Sequence, residues 1–221
     1  MEDIGTLTDT QAGTRMPIGQ LFVIAAPSGA GKTSLVAALL ARLPALVVSI
    51  SHTTRQPRPG EVNGREYHFV STAEFNAQLA QGDFLEHANV FGHLYGTNRE
   101  ALLAQLHQGL DVILEIDWQG AAQVLKQWPD ALSIFILPPS REALHARLIG
   151  RNQDHPDVIH ARMAEADETL SKAPLFDYWI VNDDFEVALD ELRAVVLASR
   201  QRRAQIERRH ERLLKTLLGE G

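Results

Sequence analysis

Short, wholly apolar runs alternate along the chain with longer stretches in which apolar residues recur every three or four positions. Leu21–Ala25, LFVIA, is apolar throughout and bounded by Pro and Gly, the pattern of a strand buried on both faces. A glycine-rich loop over Ala26–Lys32 follows, and then an Ala/Leu-rich helix to about Leu43, which Pro44 ends. Ala45–Ser51 predicts a second strand, residues 52–66 a loop without period, and Tyr67–Val70 a short strand. Ser71 and Glu74 have the spacing of a capping box, so a helix starts there and ends near Gly82. Phe84–Val90 predicts a strand, Phe91–Gly96 a turn, and Asn98 the cap of a helix that stops at Gly109.

The same alternation continues to the end. Val112–Ile116 predicts a strand that ends in Asp117, followed by a helix over about Gly120–Gln127 that stops before Pro129. Leu132–Leu137 predicts a strand closed by two prolines, and Ser140 caps a helix to about Ile149. The polar segment Gly150–Asp157 interrupts, a helix resumes to about Lys172, Tyr178–Val181 forms a strand, and a last helix runs from about Phe185 into the 200s. Strands alternate with helices at both ends and less regularly near 51–97. That order predicts an α/β fold with a parallel central sheet and a small inserted subdomain.

Composition narrows the class. With 221 residues, 45% hydrophobic and 22% charged, the chain reads as a globular domain with ample core. Twenty-one Lys and Arg against 28 Asp and Glu give a net charge of −7, which argues against a dedicated nucleic-acid binder. Without cysteine there is no disulfide and no thiolate chemistry, as fits a reducing cytoplasm. No run approaches the roughly 18–20 apolar residues that span a bilayer, and no membrane partner is expected. Residues 1–19 lack a basic flank followed by an apolar stretch and read as a disordered extension rather than a secretory signal. The basic stretch Ser199–Gly221 reads as a solvated helix face.

The chemistry concentrates in three places. Ala26-Pro27-Ser28-Gly29-Ala30-Gly31-Lys32-Thr33 matches a phosphate-binding loop, with Ala26 where the first glycine usually stands. Its glycines let successive N–H groups turn inward toward phosphate oxygens, and the following helix N-terminus adds partial positive charge. Lys32 is placed to reach the β- and γ-phosphates of a nucleoside triphosphate, and the Thr33 hydroxyl to ligate Mg²⁺. At the end of the strand over 112–116, Glu115 and Asp117 stand two residues apart, and so on one side. A carboxylate at that carboxyl edge suits Mg²⁺ or a bound substrate. In the insertion, Arg55 and Arg58 are three residues apart and stiffened by Pro57 and Pro59. They offer guanidinium forks for a phosphate, with the hydroxyls of Tyr67 and Tyr95 as further donors.

The run TTRQPRPGEVNGREYHF, after APSGAGKT and before GHLYGT and EIDWQG, resembles guanylate kinase, bacterial members above all, over nearly all of residues 20–215. The resemblance implies a P-loop NTPase three-layer fold with an inserted GMP-binding subdomain and a helical lid. It also implies phosphoryl transfer from ATP, with Mg²⁺, to GMP or dGMP. On this resemblance the core comprises 20–50, 98–140 and 173–215, the GMP-binding subdomain 51–97 and the lid 141–172, and 216–221 is a tail. It implies that Arg55, Arg58, Tyr67 and Tyr95 hold the GMP phosphate and that Ser51, Glu86, Thr97 and Asp117 read guanine, while the strand-end position leaves Asp117 open to guanine, metal or both. A carboxylate at Glu86 suits that edge, because guanine N1–H and the 2-amino group are adjacent donors. The lid arginines Arg147, Arg151 and Arg162 are expected to converge on the transferred phosphoryl group, and Asn182 to lie near the adenine pocket. A monomer or small homo-oligomer is expected. Two other readings stay open: a kinase of a different phosphorylated acceptor, such as a phosphoribosyl bisphosphate, and a non-catalytic binding module of the same fold.

Overall fold

A computed structural model describes residues 19–151 and 156–219, with backbone alone over 150–151 and 156–160. The expected N-terminal extension lies outside the described residues except for Gly19, as do 152–155 of the expected interruption and the last two residues of the tail.

The chain runs β1 (Leu21–Ala25), α1 (Lys32–Arg42), β2 (Leu46–Val48), β3 (His52–Thr53), β4 (His68–Phe69), α2 (Thr72–Gln81), β5 (Phe84–Val90) and β6 (His93–Asn98). It continues through α3 (Arg99–His107), β7 (Asp111–Glu115), α4 (Trp118–Gln127), β8 (Leu132–Leu137), α5 (Arg141–Arg151) and α6 (Pro156–Ser171). It ends with β9 (Tyr178–Val181), α7 (Phe185–Arg200), α8 (Arg203–Arg209) and α9 (Glu211–Leu218).

The central sheet has the order β2-β7-β1-β8-β9, and every pairing is parallel. Alternate residues of β1 face opposite cores, which is why the whole strand reads as apolar. Phe22 and Ile24 pack with Leu35 and Leu39 of α1 and Leu189, Leu192 and Val196 of α7. Leu21, Val23 and Ala25 pack with Leu102 and Leu106 of α3 and Val124 of α4. The result is three layers, helix on sheet on helix, with the strand carboxyl ends opening on the glycine-rich loop.

The predicted strand over Ala45–Ser51 divides. β2 pairs with β7 in the central sheet, whereas β3, only four residues later, belongs to a second sheet ordered β4-β3-β6-β5. The turn expected over Phe91–Gly96 is two residues long, and His93–Asn98 is a strand paired with β5. Phe91 and Gly92 both have positive φ, 51° and 76°, as a tight hairpin turn matching strand twist requires. Gly96 is not a turn residue: a Cβ there would press within 3.1 Å of the Phe75 and Phe84 rings, which stack under β6. The capping box at Ser71 and Glu74 forms with both reciprocal bonds.

Helix α4 belongs to the central layers but also serves β5, the last strand of the second sheet. Gln123 accepts from His87 N at 3.2 Å and donates to His87 O at 2.7 Å, and Gln127 donates to Leu85 O at 2.8 Å.

The last predicted helix is three helices, and α9 carries part of the expected tail. The basic stretch there is not merely a solvated face. Asp111, fully buried at the start of β7, accepts from Arg200 Nε at 2.7 Å, Arg209 Nη2 at 2.6 Å and the backbone N–H of Gln20 at 2.8 Å. Arg200 also donates to Pro44 O at 2.9 Å, so the end of α7 and α8 are tied beneath the sheet.

Candidate functional site

The loop over 26–33 turns from β1 into α1 with Gly29 and Gly31 at φ 90° and 96°, backbone that L side chains rarely adopt. Asn182, just past β9, donates from its buried amide to Ala30 O at 2.7 Å. A Cβ on Gly31 would stand 2.2 Å from that amide nitrogen, so Gly31 is small for two reasons. Arg147 donates to the Asn182 backbone carbonyl at 3.1 Å, and Leu144 and Leu148 of α5 lie over Gly29. Asn182 therefore braces the loop from behind.

Lys32 donates to Ile116 O at 3.0 Å. Burial pushes its pKa down, while the Glu115 and Asp117 carboxylates oppose that shift. The Thr33 hydroxyl donates to the Glu115 carboxylate. Asp117 caps α4 by accepting from Gly120 N at 2.9 Å, and burial raises its pKa.

A cleft of about 310 Å³ runs from this loop to the second sheet. Its walls include Lys32 and Thr33, Glu115 and Asp117, Ser51 and Glu86, and Arg58, Tyr67 and Tyr95. A neighbouring recess of about 440 Å³ shares Thr33, Ser51, Arg58, Tyr67, Tyr95 and Glu115 with it and adds Arg55. The residues expected from the loop, the insertion and the strand end are thus brought to one place from segments far apart in the chain.

Within the insertion, Glu61 organises the arginines. Arg55 Nη2 donates to Glu61 Oε1 at 2.8 Å, and the Arg58 N–H donates to Glu61 Oε2 at 2.7 Å. That pairing raises the pKa of Arg55 and lowers that of Glu61. The Arg55 guanidinium also lies 5.3 Å from the centre of the Tyr67 ring, which meets the Tyr95 ring edge-on.

Glu86 is the most unusual group in the cleft. It is 2% exposed, and its Oε1 accepts from the Thr97 hydroxyl at 2.6 Å. Burial pushes its pKa up to about 7, opposed by the Thr97 hydrogen bond and reinforced by the Asp117 charge. Thr97 stands behind Glu86, fully buried, rather than on the cleft wall.

Two groups, Glu61 and Glu165, escape the sequence reading of the site, which does single out Glu115. Glu115, seen there on the same side as Asp117, is the one that meets Thr33. Glu61 carries no signal beyond its place between two arginines. Glu165 of α6 lines the cleft, with a buried Oε2 that lacks a hydrogen-bond partner and a pKa raised by burial and by Asp117. The Arg162 charge opposes that shift. Of the expected lid arginines, Arg147 bonds behind the loop, Arg162 stands one turn before Glu165, and the side chain of Arg151 lies outside the described residues.

Comparison with known proteins finds one family. A family model described as Guanylate kinase matches residues 18–199. The guanylate kinase of Alkalilimnicola ehrlichii is 57% identical over 199 residues, covering 90% of this chain and 97% of that protein. The one from Escherichia coli O157:H7 is 51% identical over 207 residues, covering 93% of this chain and 100% of that protein. The crystal structure of guanylate kinase from Anaplasma phagocytophilum superposes with a TM-score of 0.74 at 33% identity, covering 90% of this chain and 95% of that one.

Proposed function

The chain belongs to the guanylate kinase family, which phosphorylates GMP to GDP with ATP, and we propose how its own residues divide that reaction. ATP lies with its phosphates in the loop Ala26–Thr33, where inward N–H groups and Lys32 meet the β- and γ-oxygens. The Thr33 hydroxyl and the Glu115 carboxylate that it contacts are hard oxygen donors, side by side next to Lys32, and so suit Mg²⁺. Asp117 completes that edge. Bound there, Mg²⁺ would neutralise charge on the transferred phosphoryl group.

GMP, or dGMP, takes the other end of the cleft. Arg55, Arg58, Tyr67 and Tyr95 hold its phosphate; Ser51, Glu86 and Asp117 face the base, with Thr97 fixing Glu86. A GMP phosphate oxygen attacks the γ-phosphorus in line, the bond from that phosphorus to the β–γ bridging oxygen breaks, and ADP leaves. The attacking phosphate is already ionised at neutral pH, so positioning and positive charge suffice and no general base is needed. The lid, 141–172, brings Arg147, Arg151 and Arg162 toward that charge and excludes water; the acceptor subdomain is 51–97 and the rest of 20–215 the core. Asn182 keeps the loop's curvature and borders the adenine pocket. The proposed setting is cytoplasmic guanine-nucleotide metabolism and GMP recycling, as a monomer or small homo-oligomer.

The observation that carries this reading is a buried carboxylate, Glu86, in one cleft with an intact phosphate loop. The test is ADP formation from ATP and Mg²⁺ with GMP, dGMP, AMP, CMP and UMP offered in turn. Turnover with GMP and dGMP and little with AMP is expected; equal turnover with AMP would remove Glu86 as reader, and none with any acceptor would remove catalysis.

Because the Glu86 pKa is raised to about 7, the folded protein without nucleotide holds this proton below neutrality. Reading two guanine donors requires the ionised form, so GMP binding releases the proton. GMP affinity should weaken as pH falls through 7, by up to about tenfold per unit. The GMP phosphate also titrates near 6, so the comparison is with Glu86→Gln, which should lose only the Glu86 part of the slope. Identical slopes in the two proteins would contradict the assignment.

A further inference from the structure

Gly120 is the third residue of α4 and has no left-handed φ to explain it. Alanine forms helix better than glycine, so local propensity argues against glycine here. What glycine supplies is space. A Cβ at Gly120 would lie 2.3 Å from Glu86 Oε2, 3.0 Å from the Glu86 carboxyl carbon and 3.4 Å from Asp117 Oδ1. Its three nearest neighbours all belong to carboxyl groups at the base end of the cleft.

The Glu86 carboxylate is held from its other side as well. The Thr97 hydroxyl holds its other oxygen at 2.6 Å, and the strand that carries it shifts register between Phe84 and Glu86. Glu86 therefore rests against the bare backbone of the first turn of α4. The Gly120 N–H meanwhile fixes Asp117 Oδ1 at 2.9 Å. One residue thus borders both carboxylates, through its N–H on one side and its missing side chain on the other.

We propose that Gly120 is a specificity-positioning residue of the acceptor site: its missing side chain is the slot that holds the Glu86 carboxylate edge-on to guanine. This rests on the reading of Glu86 given above. The colliding atom is the far end of a flexible side chain, so a methyl group at 120 is relieved by turning the carboxylate. The helix itself need not move. The harm falls on recognition of the base and not on folding, which separates this role from a structural one.

The test is Gly120→Ala, assayed with GMP, with IMP, which lacks the 2-amino group, and with varied ATP. We expect kcat/KM for GMP to fall about tenfold to a hundredfold, the loss of one hydrogen bond to a charged group. Preference for GMP over IMP should fall by a similar factor. The KM for ATP should stay within about twofold, and Tm should equal or exceed that of the parent. Glu86→Gln is run beside it, with the double variant. If Gly120 acts through Glu86, the double variant is no worse than Glu86→Gln; additive losses overturn the inference. If Glu86→Gln loses the preference and Gly120→Ala keeps it, the slot is wrong and the reader stands. If Glu86→Gln keeps the preference, reader and slot fall together. Should Gly120→Ala not fold, Glu86→Ala in the same chain removes the colliding oxygens. Recovery of folded protein would then support the contact, and failure to recover would overturn it.

Discussion

Replacing Lys32 with alanine is expected to cut turnover by about a hundredfold to a thousandfold, the usual loss when one preorganised charge on a developing transition state is removed. Lys32 is half-buried, with its ammonium on Ile116 O and the carboxylates of Glu115 and Asp117 nearby. Burial disfavours its charge and lowers its pKa, and the two acids oppose that shift. The ammonium is thus positioned at the strand edge beside both acids, where phosphate oxygens would add further support to its charge. Arginine should not substitute, since a planar fork does not reproduce a compact point charge on the β- and γ-oxygens. Single-turnover ADP formation with GMP saturating checks the effect, and Tm checks the fold. Turnover within about tenfold of the parent would remove Lys32 from the reaction.

The second large effect is on stability and lies at the opposite end of the sheet. Asp111→Ala should cost about 3–5 kcal/mol, the range for breaking a buried ion pair from one side. For a chain of this size that lowers Tm by roughly 6–20 °C. The substitution strands Arg200, Arg209 and the Gln20 N–H, all of which converge on a carboxylate with no solvent exposure. Arg209→Ala should cost less, because Asp111 keeps Arg200 and its backbone donor. A loss under about 1 kcal/mol in Asp111→Ala would show that the three bonds barely exceed the desolvation of the acid. Denaturant unfolding measures it. Turnover of the folded fraction should be unchanged, since none of these groups reaches the cleft.

How far the chain could be read depended on whether the governing contact was local. β1, β5, β8 and β9 lie at the predicted bounds, and β1 and β8 most plainly, because a strand buried on both faces writes itself in nearly every residue. The capping box at Ser71 and the phosphate loop are equally local. β6 escaped because HLYGTN holds a glycine that looks like a turn but is there to admit two phenylalanine rings. β3, two residues long, is too short to carry a period. The split after β2 reflects which sheet offers a partner, and nothing in ALVVSIS encodes that. In the site, the loop and the arginines of the insertion show in their spacing. Asn182 on Ala30, Glu115 on Thr33 and Asp111 on Arg209 join residues 82 to 152 positions apart. Such pairs leave no pattern in any window of sequence. The basic C-terminal stretch looked solvated for the same reason: its main partner lies nearly a hundred residues upstream.

The two glutamines of α4 have a consequence outside catalysis. β5 ends its sheet, and an end strand leaves backbone groups open as a template on which another chain can add itself. Gln123 and Gln127 occupy those groups at Leu85 and His87, their amides standing in for a missing neighbour strand. The helix whose first turn borders Glu86 thereby also guards the margin of the second sheet against amyloid-like growth. Loss of either glutamine would therefore surface first as poor solubility during expression, in protein whose folded fraction still works.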